Sequence, residues 1–175
     1  MDPVTLFAIV VGCLVLSAFF SGSETALLRL SQHDIDEGVN ELRGPSAIAA
    51  RDLVGHTSRL LVTILLGNNL VNILAASAAS ALAMTLLGER TGLIVSTAVM
   101  TLIVLIFCEV IPKAMAARHP RRMGFRVALP IYVLHQLLRP IHLLFDQLVE
   151  PLVRRVGPPK GEGEAATEAI LRLAR

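Results

Sequence analysis

Between Leu60 and Leu87 the chain is apolar enough to cross a bilayer, yet inside that stretch stands Gly67-Asn68-Asn69-Leu70-Val71-Asn72, three carboxamides within five residues. An amide in hydrocarbon without a hydrogen-bond partner costs several kcal/mol, so intramembrane polar side chains face a bundle interior or a pathway. Asn68 and Asn72 are four apart and share a helix face, whereas Asn69 lies about 100° round. Two readings fit: side-chain glue between helices, or the lining of a polar site. Three amides at this density favour the second.

The rest of the chain agrees with a membrane setting. Over 175 residues, 54% are hydrophobic and 17% charged, with a mean hydropathy of +0.65; this is an all-α membrane protein rather than a soluble domain. The net charge of +2 marks no nucleic-acid partner. Cys13 and Cys108 lie in apolar runs far from any CxxC spacing, which makes them packing residues rather than a disulfide or zinc framework. Met1-Asp2-Pro3 lacks the basic start of a cleavable signal, so the apolar run behind it is expected to remain as a first span.

Three spans are expected, at about 4–28, 60–87 and 93–111, forming a core over residues 1–118. Residues 30–58 read as an aqueous loop of short helices broken at Gly44-Pro45, and Gly88-Glu89-Arg90-Thr91-Gly92 as a tight turn between spans two and three. Ala75-Ala76-Ser77-Ala78-Ala79-Ser80-Ala81 is small enough for close helix contact. Residues 119–156 read as a belt of short amphipathic juxtamembrane helices with breaks at Pro130, Pro140 and Pro151. In that belt Arg121, Arg122, Arg126 and Arg139 would meet anionic lipid. Residues 157–175 read as a linker and the truncated start of a further domain. Arg29, Arg43, Arg51 and Arg59 follow span one, and Lys113, Arg118, Arg121, Arg122 and Arg126 follow span three. By the positive-inside rule the N-terminus is then outside and the C-terminus cytosolic.

Counting inward from Arg29, Arg59 and Arg118, Ser21 lies eight residues in, Asn68 nine and Glu109 nine. At 1.5 Å per residue each is about 12–14 Å inside its anchor, so three helices can close one polar site. A carboxylate at membrane depth costs a few kcal/mol, which makes Glu109 a functional residue by default; the alternative is a protonated Glu109 hydrogen-bonded to the asparagines. Pro112 has no N–H, and in an α-helix the Cys108 carbonyl would lose its partner beside that carboxylate. Ser21 and Ser23 are two apart, so both face one site only if the helix is irregular at Gly22. Gly67 likewise permits loosened helix beside Asn68. The donor set of hydroxyl, carboxamide, carboxylate and carbonyl oxygens suits a hard cation such as Mg²⁺, Ca²⁺ or Na⁺ rather than zinc or copper, and composition does not choose among these. An intramembrane serine hydrolase is disfavoured, since all five histidines fall outside the spans. No enzyme is indicated.

The motifs Phe20-Ser21-Gly22-Ser23-Glu24-Thr25-Ala26-Leu27, Leu66-Gly67-Asn68-Asn69-Leu70-Val71-Asn72 and Glu109-Val110-Ile111-Pro112-Lys113 resemble the transmembrane domain of the CorC and cyclin M magnesium transporters, over about residues 1–155. The resemblance implies a homodimer in the plasma (cell inner) membrane, with three transmembrane helices per subunit and a juxtamembrane belt. A cytosolic pair of cystathionine-β-synthase-like domains would follow. It implies Mg²⁺ export coupled to Na⁺ entry, with the ion held by Ser21, Ser23, Asn68, Asn72 and Glu109, and by Gly67 through its carbonyl. The alternative is a membrane-embedded Mg²⁺ sensor or scaffold that moves no ion.

Overall fold

A computed structural model of the chain describes residues 2–42, 44–145 and 147. Arg43, Asp146, Pro151 and the expected linker at 157–175 lie outside the described residues. The chain divides into two units, Met1–Leu137 and Leu138–Arg175, each taken by itself. Among the described residues every regular element is a helix.

Helix α1 runs unbroken from Pro3 to Leu28. Asp2 caps it by accepting from the Thr5 N–H at 3.2 Å and the Thr5 hydroxyl at 2.6 Å, and Pro3 sits at the first position, where its missing N–H costs nothing. Two short helices follow, α2 (Gln32–Leu42) and α3 (Pro45–Gly55), parted where Gly44-Pro45 predicted. Ser31 and Asp34 form a reciprocal cap on α2: the Ser31 hydroxyl donates to the Asp34 carboxylate, and the Asp34 N–H donates to that hydroxyl at 3.1 Å. These bonds hold the Asp34 carboxyl below the usual carboxylate range.

Helix α4 (Thr57–Leu87) is the second span. The third begins at once after Gly88, whose φ of +81° a glycine takes without strain. It consists of α5 (Glu89–Ile103), a π-helical segment Val104–Val110 and α6 (Ile111–Arg118). The turn is thus one residue, not the five of Gly88–Gly92: Glu89 to Gly92 already form the first helical turn. The three candidate spans, Pro3–Leu28, Thr57–Leu87 and Glu89–Arg118, are 26, 31 and 30 residues long. All exceed the roughly 20 residues that a hydrocarbon core requires. Phe7, Val15, Leu70, Ile73, Leu102 and Phe107 stand exposed on them, as lipid-facing side chains in a membrane must.

Helix α7 (Pro120–Leu137) closes the first unit. It buries Phe125, Ala128, Ile131 and His135 on one face against α3, α1 and α4, and His135 Nδ1 lies 3.0 Å from the Thr63 hydroxyl of α4. Pro130 lies inside α7 and does not break it as expected. It and Arg126, whose carbonyl loses the N–H, are on the exposed face, where water replaces the bond while the buried face holds the helix together. Arg121 is paired with Glu37 of α2 at 2.8 Å, so its charge is answered within the protein rather than left to lipid.

Two apolar cores result. One joins Leu27, Ile35, Leu53, Leu60, Phe125 and Ile131 at the arginine-rich end of the spans; the other joins Leu6, Val10, Cys13, Ala75, Ala78 and Met100 between them. Within the small-residue stretch of span two, Ala75 and Ala78 are the buried members. In the second unit residues 139–145 are helical, opened by the Ile141 and His142 amides on the Leu138 carbonyl. Pro140 sits in its first turn rather than at the break.

Candidate functional site

Helices α1 and α4 pack more extensively on each other than any other pair, and they run antiparallel: Ser17 meets Asn68, and Phe20 meets Gly67. Gly67 is required there. A Cβ would stand 2.6 Å from the Phe20 ring, so the missing side chain is what lets the helices close. Both helices stay regular through Gly22 and Gly67, without the loosening expected at either.

The fully buried Ser17 hydroxyl donates to Asn68 Oδ1 at 3.0 Å, and Asn72 Nδ2 reaches the same oxygen at 3.5 Å. Level with Asn68, then, is Ser17 and not Ser21, which lies one turn nearer the Arg29 end. The depth count assumed three straight helices sharing one anchor plane, and antiparallel packing shifted α1 by a turn. Ser17 lies four residues before Ser21 on the same face, but nothing in the sequence sets it apart until Asn68 is placed opposite it.

Two oxygens are left over. Ser21 Oγ and Asn72 Oδ1 are buried with no hydrogen-bond partner. Each such orphan costs about 1–3 kcal/mol, and two of them flank the single Ser17–Asn68 bond. Ser23, also fully buried, gives its proton to the Phe19 carbonyl at 2.7 Å and keeps its lone pairs. With α1 unbroken at Gly22, the hydroxyls of Ser21 and Ser23 point to different sides. Asn69 is exposed.

The third span supplies the charge. Gly22 packs against Pro112, where a Cβ would lie 3.5 Å from the proline Cβ, and the Cys108 thiol donates to the Leu14 carbonyl at 3.4 Å. Cys108 is therefore a clamp as well as a packing residue. Glu109, next to it, falls in the π-helical segment, where the Ile111 N–H bonds five residues back to Ile106. Continued one residue, that register would set the Phe107 carbonyl opposite the missing Pro112 N–H, while the α-helix that resumes at Ile111 would set Cys108 there. Such wide turns cost hydrogen-bond quality and gather at functional sites. Glu109 lines an open groove of about 380 Å³ between α4 and the third span. Across that groove Ser80 and Ser96 are in contact at 3.1 Å. Glu109 and Gly67 are the same number of residues from that pair along their helices, which sets Glu109 at roughly the height of the asparagine segment. Below it Lys113 pairs with Glu24 at 3.4 Å, so Glu24 is an ion-pair partner rather than a freely solvated residue.

Among the described residues no three His, Cys, Asp or Glu side chains converge. The oxygens gathered here come from hydroxyls, carboxamides and a single carboxylate, a hard-cation set.

The profile of the cyclin M transmembrane N-terminal domain matches residues 8–174. The chain is 37% identical over 153 residues to a UPF0053 protein of Haemophilus influenzae, covering 87% of this chain and 36% of that protein. It is 34% identical over 142 residues to the UPF0053 inner membrane protein YfjD of Escherichia coli, covering 81% and 33%. To a chloroplastic DUF21 domain-containing protein of Arabidopsis thaliana it is 31% identical over 159 residues, covering 90% and 24%. The chain spans about a third of the length of the two bacterial relatives.

Proposed function

The chain belongs to the cyclin M transmembrane domain family, and from that premise we propose that it is the membrane core of a secondary-active Mg²⁺ transporter, an exporter driven by Na⁺ entry. The observation that carries this reading is that, among the described residues, two buried oxygens, Ser21 Oγ and Asn72 Oδ1, lack hydrogen-bond partners one turn to either side of the Ser17–Asn68 contact, on helices that pack against the span bearing Glu109. A cation drawn to Asn68 supplies what either one lacks, and reaching both at once requires the two helices to shift along each other. Mg²⁺ takes oxygen ligands at about 2.0–2.1 Å in octahedral array. The proposed ligand set is Ser21, Ser23, Asn68, Asn72, Glu109 and the Gly67 carbonyl. With α1 and α4 regular at Gly22 and Gly67, Ser23 and the Gly67 carbonyl join it only if those helices loosen as the ion binds, and waters take the places left.

Mg²⁺ enters from the cytosolic face, where the arginine-rich ends of the spans lie, and leaves on the face that bears Gly88. Asn68 Oδ1 already holds two donors, so Ser17 and Asn72 must yield it as an ion binds. One carboxylate leaves a bound divalent ion net positive, and Na⁺ competing for the same oxygens is an economical coupling. The working unit is a homodimer in the plasma membrane, with the N-terminus outside and a cytosolic regulatory domain beyond the belt.

The test is Mg²⁺ flux in proteoliposomes carrying an internal Mg²⁺ dye, with and without a Na⁺ gradient. Gradient-dependent flux is expected. Mg²⁺ binding with no flux would instead favour a sensor, and flux indifferent to Na⁺ would remove the coupling. A second measurement reads the orphaned oxygens directly. Ser21→Ala deletes an unsatisfied buried hydroxyl, so the ion-free protein is expected to be more stable by about 1–2 kcal/mol, while added Mg²⁺ stabilises it less than wild type. Thermal unfolding in detergent with and without Mg²⁺ checks both signs; loss of stability without Mg²⁺ would mean that the hydroxyl has a partner.

A further inference from the structure

Of the 16 lysines and arginines in the chain only Lys113 and Lys160 are lysines, and Lys113 stands four residues after Glu109 on the third span. Glu24 stands three residues after Ser21 on α1. Both steps run toward the arginine-rich end, so each helix carries a candidate ligand and, about one turn on, one member of the Glu24–Lys113 pair. Between them Gly22 packs on Pro112, where a Cβ would lie 3.5 Å from the proline Cβ, which holds the two helices together at this level.

Lys113 therefore has two carboxylates within reach. A glutamate and a lysine four residues on are neighbours on a helix surface, with Cβ atoms about 5–6 Å apart and the charges in the favourable order. The α-helix resumes at Ile111, so the step from Glu109 to Lys113 is close to one helical turn. The ammonium nevertheless sits on the other carboxylate, Glu24, at 3.4 Å. That is long for a charge-assisted bond, which closes to about 2.7–2.9 Å, and long beside the 2.8 Å of Arg121 on Glu37. The Lys113 and Glu24 side chains are 44% and 24% exposed, so water weakens the pair further. A lysine ammonium is a compact charge on a flexible stem, without the rigid fork by which an arginine grips a carboxylate. Glu109, by contrast, has no ion-pair partner among the described residues, and a bare carboxylate at membrane depth is costly.

We propose that Lys113 is a tethered counter-cation shared between these two carboxylates. On Glu24 it leaves Glu109 open to a metal ion; on Glu109 it neutralises the carboxylate once the ion has gone. No proton moves and no covalent bond forms: one cation replaces another, and Glu24 is the positioning residue that holds Lys113 aside. The proposal rests on the reading of Glu109 as an ion ligand.

Its test is calorimetric Mg²⁺ titration of the full-length protein in nanodiscs, with a melting curve for each variant. Lys113→Met removes the competitor and is expected to tighten Mg²⁺ binding about tenfold. Glu24→Gln releases Lys113 onto Glu109 and is expected to weaken binding about tenfold. Both substitutions break the same ion pair, so a merely structural pair would move affinity the same way in both. In the Lys113→Met background Glu24→Gln should change affinity by less than about twofold, because Glu24 acts only through Lys113. Repeating the cycle with Lys113→Gln guards against a variant that folds poorly. Effects that simply add in the double variant, or that share a sign in the single ones, overturn the switch and leave the Glu109 site standing. Wild-type protein without Mg²⁺ affinity, or Glu109→Gln that binds as wild type does, overturns the site and the switch with it.

Discussion

Glu109→Gln is expected to abolish Mg²⁺ flux and to cut Mg²⁺ affinity by at least about a hundredfold. The substitution keeps the size and one carbonyl oxygen of the side chain and removes only its charge. That charge is the one carboxylate lining the groove between spans two and three; the next, Glu24, is committed to Lys113. Removing one member of a partly buried charge pair costs roughly 3 kcal/mol or more, which is the hundredfold. The empty protein, by contrast, should be no less stable, because an amide is cheaper than a carboxylate at this depth. The two signs separate a lost ligand from a damaged fold. Calorimetric Mg²⁺ titration gives the affinity, the liposome dye the flux and a melting curve the fold. Wild-type flux from Glu109→Gln would remove Glu109 from the ion's path. A melting point lowered as much as the flux would make its role structural.

The parts of this site that were legible in the sequence are those in which a single residue conflicts with its surroundings. Asn68, Asn72 and Glu109 declare themselves because amides and carboxylates are costly in hydrocarbon, and Gly44-Pro45 because it stops a helix wherever it occurs. Three apolar runs fixed three spans for the same reason. Features set by a neighbour were not legible. Ser17 is a serine like any other until Asn68 is placed opposite it. Pro130 reads as a helix break until one face of α7 is pinned by Phe125, Ala128 and Ile131. The five-residue turn shrank to Gly88 because the sequence shows two glycines and not their separate tasks. Gly88 supplies a positive φ, and Gly92 supplies room. The π-helical stretch around Glu109, too, is a register that local composition does not encode.

Gly92 is where the packing is least forgiving, and Gly92→Ala is expected to be the most damaging single-methyl change in the spans. Its Cβ would lie 2.5 Å from the Met84 nitrogen and 2.6 Å from the carbon and oxygen of Ala83. These are backbone atoms of a helix and cannot rotate aside. At Gly67 the obstacle is the tip of the Phe20 ring, and a Cβ on Gly88 meets nothing. Relief at Gly92 requires α5 to move off α4, at a cost of about 1–3 kcal/mol for overpacking. The Ser80–Ser96 contact, one turn away at 3.1 Å, is the first bond to part. The consequence reaches further than the hairpin. The helix that bears Gly92 continues into the stretch that bears Glu109, so a third span displaced at Gly92 shifts its carboxylate relative to the asparagines of α4. Gly92→Ala should therefore lower both the melting point and Mg²⁺ affinity, although residue 92 lies far along the span from Glu109. Gly88→Ala, which strains only its own backbone, at φ +81° and ψ 161°, by about 1–3 kcal/mol, should lower the melting point and leave affinity alone. If Gly92→Ala loses stability while binding Mg²⁺ as wild type does, the hairpin does not set the register of the site. Position would then be held from the other end, by the contacts of Gly22 with Pro112 and of Cys108 with Leu14.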